Sequence, residues 1–177
     1  MRSIALIGMR GCGKSAVGRE LAGLLSWPHV DTDEVITQKA GTSIAEIFAS
    51  QGEAEFRKRE SAAIQAAFAN QPVVISVGGG AVLDPANVAA IRAAATVVWL
   101  TASAEVLWGR IQNDPRTVQS RPPLTGQAGL GEIRELLAAR IPLYESACDV
   151  VVDTEGLEPA SVAETVLAQA RYDDPAN

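Results

Sequence analysis

The run Ile4-Ala5-Leu6-Ile7 leads directly into Gly8-Met9-Arg10-Gly11-Cys12-Gly13-Lys14-Ser15. The segment after it is helical in period, with Val17, Leu21, Leu24 and Leu25 apolar. An apolar run ending on Gly-x-x-x-x-Gly-Lys-Ser and passing into a helix commits the chain to a strand–loop–helix unit. The glycines let successive N–H groups curl toward one point, where phosphate oxygens fit. Lys14 can reach the β- and γ-phosphates of a nucleotide, and Ser15 can offer a hydroxyl to Mg²⁺. A helix starting near Gly13 adds the positive end of its dipole. Arg10, Gly11, Cys12, Gly13, Lys14, Ser15 and Ala16 are therefore the candidate nucleotide-binding stretch.

Four more apolar runs follow: a short piece around Val30, then 73–77, 97–100 and 150–152, with helical patterns between them. This alternation predicts an α/β domain built on a five-stranded parallel sheet. Right-handed crossovers then place helices on both faces. The length of 177 residues suits one domain, expected over 1–172, with a disordered tail at 173–177. Residues 113–129 break the regularity with Pro115, Pro122, Pro123, Gly126 and Gly129. A long irregular loop in a compact domain is usually functional or disordered.

Composition narrows the function. No segment has the length or apolarity of a membrane span. The N-terminal apolar run is too short for a signal peptide, which points to the cytoplasm. Cys12 and Cys148 lack metal-ligand spacing and are expected to be reduced thiols. The net charge of −6 argues against a nucleic-acid surface. An acidic chain that binds an anionic nucleotide must concentrate positive charge locally, which draws attention to its arginines.

Asp31-Thr32-Asp33 follows the second run. Residues two apart on an extended segment face the same side, so both carboxylates can point at the loop. One can hold Mg²⁺ through water and the other can accept a proton from an attacking hydroxyl. Alone, the triplet reads better as an acidic turn capping the next helix; its place one helix after the phosphate loop favours the functional reading. Gly78, Gly79 and Gly80 follow the third run, where missing Cβ atoms let a ligand touch backbone. Arg57 and Glu60 share a face of a helix expected from about Glu53 to Ala69. Glu60 can hold the Arg57 fork while Arg57 grips a carboxylate, or the two can form a plain surface ion pair. Arg121 lies in the long loop and Arg140 in the next helix, and each reads equally as a solvated arginine. On a mobile loop, an arginine can close over a phosphoryl group. Trp27, Trp99 and Trp108 are expected in the core or at its edge. His29 has no partner cluster, and Cys12, with loop N–H dipoles nearby, is expected to be sensitive to alkylation.

In order along the chain, these pieces resemble the shikimate kinase family. The resemblance rests on residues 8–15, Asp31-Thr32-Asp33, Gly52-Glu53 with Phe56-Arg57 and Glu60, and Gly78 to Gly80. It continues through Val97-Val98-Trp99-Leu100, Arg121-Pro122-x-Leu124, Arg140-x-Pro142-Leu143-Tyr144-Glu145 and Val152-Asp153-Thr154. It implies a three-layer P-loop kinase-type domain with a substrate region at about 31–60 and a mobile lid at about 113–126. It implies transfer of the γ-phosphoryl of ATP to the 3-hydroxyl of shikimate, with Mg²⁺, by a monomer in aromatic amino-acid biosynthesis. Lys14, Asp33 and Arg121 would then be catalytic, and Ser15 and Asp31 would hold the metal. Asp33, Arg57, Gly78, Gly79, Gly80 and Arg140 would bind shikimate, and Arg110 would join the loop in binding ATP. The chain departs from the family pattern in a longer lid, where Arg116 can share the role of Arg121, and in Pro123 where leucine is usual. The stretch Glu155-Gly156-Leu157-Glu158-Pro159 lacks the arginine often found beside adenine.

Overall fold

All five residues of the first strand, β1 (Ser3–Ile7), are buried. A strand with no polar face needs cover on both sides, which a parallel sheet between helix layers provides. The computed structural model describes residues 2–70, 72–114 and 129–172. It holds four further strands: β2 (His29–Asp31), β3 (Val74–Ser76), β4 (Ala95–Thr101) and β5 (Val150–Asp153). They form one sheet in the order β2-β3-β1-β4-β5, and every pairing is parallel. Each of the five expected runs is a strand.

The side chains of β1 divide between two cores. Ile4 and Leu6 join Val98 and Leu100 of β4 against α1 (Lys14–Leu25), α5 (Ala104–Asn113) and α7 (Pro159–Tyr172). Ala5 and Ile7 join Val97 and Trp99 on the other face. That face packs against α3 (Ile44–Ala67), α4 (Pro85–Ala94) and α6 (Leu130–Ala147). Leu21 of α1 is wholly buried, and burial of such a side chain stabilises the fold by about 1.5–3 kcal/mol. A smaller core joins Ile36 of α2 (Thr32–Ala40) to Ile44, Ile47, Phe56 and Ala63 of α3. It supports the segment expected to bind substrate.

The helix expected from about Glu53 is the second part of α3. The element starts earlier because Ser43 and Glu46 close a reciprocal capping box. Gly52, at φ 81° and ψ 171°, interrupts it. The helix ends at Ala67 and a single 3₁₀ turn follows, Phe68–Asn70.

Because the strands are parallel, their carboxyl ends share one edge, where ligands of open α/β sheets sit. The loop before α1 and the three glycines after β3 lie at that edge. So do the start of α2 and Thr154 beyond β5. Among the described residues, no helix is long and apolar enough to cross a membrane.

Candidate active site

Gly13 caps α1 at φ 92° and ψ 10°, a left-handed conformation that glycine adopts at no steric cost. The cap has no side-chain hydrogen bond, and the first turn of α1 contains no acid. The N–H groups and the positive dipole end therefore face the cleft without competition. Lys14 folds back over its own loop, donating from Nζ to Gly8 O at 2.9 Å and Met9 O at 3.0 Å. The Ser15 hydroxyl donates to the Asp31 carboxylate.

Asp31 ends β2 and caps α2, its Oδ1 accepting from the Asp33 N–H at 3.0 Å. Asp31 and Asp33 both line the cleft, as expected, but not through strand alternation. Asp33 already sits in the first turn of α2, so the helix cap sets their relative position. Thr32, between them, is fully buried and accepts from the Gly78 N–H at 3.1 Å.

The three glycines are where the site converges. A Cβ on Gly78 would lie 2.4 Å from Glu60 Oε1 and 3.3 Å from Asp33 Oδ1. One on Gly79 would lie 3.2 Å from Gly8 O, and one on Gly80 would lie 2.7 Å from both Arg57 terminal nitrogens. Only bare backbone fits between the phosphate-type loop, the acid and the arginine. Arg57 donates to Glu60 at 2.6 Å and to Glu53 at 3.1 Å. Glu60 is 1% exposed, so the surface reading of this ion pair is set aside. Burial opposes the Arg57 charge, but Glu60 and Glu53 outweigh it and raise the pKa above its ordinary value. Arg140, buried on α6, donates to Gly79 O at 3.3 Å, so it is not a solvated arginine.

A cleft of about 580 Å³ joins Arg10, Lys14, Ser15, Asp31, Asp33, Gly79 and Arg110. Arg110 donates to Thr154 Oγ1 at 2.8 Å and to Thr154 O at 2.6 Å, and reaches Gly11 O at 3.5 Å. It bridges the first loop to the segment after β5. Gly11, Gly13 and Ala16 line the same cleft. Residues 115–128 lie outside the described residues, and with them Arg116, Arg121, Pro123 and nearly all of the expected lid. The tail at 173–177 lies outside them too.

Two expectations are corrected. Cys12 is 1% exposed and packs into the core beneath the loop, so it is shielded from alkylating reagents. His29 does have a partner: its Nε2 is 3.0 Å from Ser76 Oγ, which donates to Lys14 O at 3.0 Å. Sequence reasoning also gave no role to Thr32, Ser76 or Tyr144. The contacts of Thr32 and Ser76 depend on strands 44 or more residues apart pairing side by side, which no local pattern shows. The tryptophans are placed as expected: Trp99 is in the core, and Trp27 and Trp108 are partly buried against it.

The shikimate kinase family model matches residues 10–171. The shikimate kinase of Syntrophus aciditrophicus is 40% identical over 174 residues, covering 94% of this chain and 89% of the relative. That of Oleidesulfovibrio alaskensis is 46% identical over 153 residues, covering 86% and 88%. The fold matches the structure of shikimate kinase from Acinetobacter baumannii in complex with shikimate at a TM-score of 0.92. Sequence identity there is 29%, with 99% of this chain and 96% of that one covered. Asp31, Asp33 and Gly79 line one cleft with the phosphate-type loop, while Arg57, Gly78, Gly80 and Arg140 stand behind that lining. With the family model matched over residues 10–171, this chain belongs to the shikimate kinase family.

Proposed function

We propose that this chain transfers the γ-phosphoryl group of ATP to the 3-hydroxyl of shikimate, giving shikimate 3-phosphate and ADP in aromatic amino-acid biosynthesis. The observation that carries this reading is the glycine strip, which touches the nucleotide-type loop, Asp33 and Arg57 at once. A phosphate donor and a carboxylate-bearing acceptor bound on either side of it would meet over Asp33.

The roles follow from the chemistry of each group. The N–H groups of residues 11–16 receive the phosphates, and Lys14 exchanges its loop carbonyls for β- and γ-oxygens. Arg110, beside Thr154, offers a flat guanidinium to the adenine. Arg57 and Arg140 bind the shikimate carboxylate, and the glycine backbone lets the ring come close. Asp33 holds the acceptor hydroxyl and takes its proton as oxygen attacks the γ-phosphorus. The bond from that phosphorus to the bridging oxygen breaks, and ADP leaves. Arg121, with Arg116 beside it in the lid, would reach the transferred group.

Ser15 and Asp31 suit Mg²⁺. Both are oxygen donors, already joined by a hydrogen bond at the cleft, and Mg²⁺ keeps several waters, so a cage of protein ligands is not needed. Bound there, the ion would neutralise charge on the phosphate oxygens. The chain acts as a monomeric domain over 1–172, in the cytoplasm where Cys12 and Cys148 stay reduced.

Phosphorus NMR of a reaction with Mg-ATP and shikimate tests this reading. A new phosphomonoester signal coupled to the shikimate H3 proton is expected. ATP consumed to ADP and free phosphate alone would contradict it.

A further inference from the structure

Tyr144 is fully buried, and a buried tyrosine hydroxyl needs a partner. It donates to Gly79 O at 2.6 Å. Arg140, one turn earlier on α6, donates to the same oxygen at 3.3 Å. One helix therefore grips one carbonyl of the glycine strip with two donors. The ring of Tyr144 stacks on Trp99 of β4, centroids 5.6 Å apart and planes at 23°. The stack seats the ring in the core, while the bond to Gly79 O holds the hydroxyl itself. Burial raises its pKa well above the ordinary value, so it stays protonated and able to donate.

This grip orients backbone that otherwise has little preference. Glycines restrict their flanking peptides least of all residues. A trans peptide holds its C=O and N–H in opposite directions. With Gly79 O turned to α6, the Gly80 N–H turns away from it. Gly80 is also the glycine against which the Arg57 guanidinium rests.

We infer that Tyr144 is a positioning residue for the carboxylate-binding pocket: its hydroxyl fixes the Gly79–Gly80 peptide and the Arg140 fork. The inference rests on the shikimate reading, because that pocket is the one assigned to the acceptor. Tyr144 touches no reactant itself. It presets the donors that do, which lowers the ordering cost of binding.

Tyr144→Phe keeps the ring and the stack and removes the hydroxyl. Shikimate Kd and KM are expected to rise about tenfold, with ADP Kd and kcat changed by less than about twofold. The Gly80 amide signal of the unliganded protein is expected to shift in ¹⁵N spectra. Trp99→Phe is the control, because it weakens the stack and keeps the hydroxyl. It should lower Tm and leave shikimate Kd within about twofold of the original. Unchanged shikimate binding in Tyr144→Phe would overturn the inference. So would equal loss of ADP and shikimate affinity, or Trp99→Phe reproducing the shikimate defect. If the unaltered protein fails to bind shikimate, the acceptor assignment falls instead. The Gly80 amide then decides the clamp: a shift upholds it, and an unmoved signal overturns it.

Discussion

The Arg57 guanidinium meets Glu60 Oε2 at 2.6 Å, and the Glu60 side chain is only 1% exposed. Arg57 itself is 24% exposed, so the pair is anchored inside at its carboxylate and partly open at its guanidinium. Arg57→Ala takes the cation from a buried carboxylate. The expected destabilisation is about 3 kcal/mol, since breaking a buried pair costs far more than removing both partners. Adding Glu60→Gln to Arg57→Ala should recover part of it. Calorimetric scans check this, and an Arg57→Ala Tm close to that of the unaltered protein would contradict it.

The glycine strip predicts two separable kinetic defects. Gly80→Ala pushes a methyl group to 2.7 Å from the Arg57 nitrogens, and Gly79→Ala pushes one to 3.2 Å from Gly8 O. Gly80→Ala should raise the shikimate KM by about tenfold or more with the ATP KM little changed. Gly79→Ala should raise the ATP KM as well, because it presses on backbone of the phosphate loop. Steady-state kinetics in both substrates separate the two, and identical profiles would count against the arrangement.

Asp33→Asn keeps the shape of the side chain and removes its basicity. The variant should fold and bind ADP as before and lose at least about a hundredfold in kcat. Near-normal turnover would remove Asp33 from the role of base.

His29 ties stability to pH. Burial lowers its pKa below the ordinary 6.5, while Asp31 and Glu34 pull it up and Arg19 pushes it down. The unfolded chain therefore binds a proton at His29 at a higher pH than the folded one does. Its contribution to stability is fully present above pH 6.5, and is lost as pH falls through the lowered folded value. Urea midpoints at pH 7.5 and pH 5.5 should diverge more in the unaltered protein than in His29→Gln. An equal divergence would contradict the shift.

Much of this was legible in the sequence, for physical reasons. The strand, loop and helix around Lys14 are contiguous, so local chemistry specified them fully. β1, β3 and β4 showed as apolar runs because strands covered on both faces have no polar side to confuse the pattern. β5, with Val151 exposed, showed only through its valines, and β2 only as the short piece around Val30. Asp31 and Asp33 were paired correctly for the wrong cause. Alternation along a strand was assumed, and the capped start of α2 provides the geometry. The early start of α3 was written in Ser43 and Glu46, a capping box that the periodicity after Gly52 overshadowed. The ion pair of Arg57 and Glu60 showed as spacing, but its burial did not, because burial depends on Gly78 packing from β3. The Tyr144 contact, joining residues 65 apart, had no local signal at all.

Coupled ADP release with Mg-ATP tests the central claim most directly, run with shikimate, quinate, gluconate or no acceptor. The expected result is release that depends on shikimate, fails without Mg²⁺ and is negligible with gluconate. Release only with another acceptor would contradict the assignment of Arg57, Arg140 and the glycine strip to shikimate. No release with any acceptor, from folded protein that still binds ADP, would contradict catalysis itself.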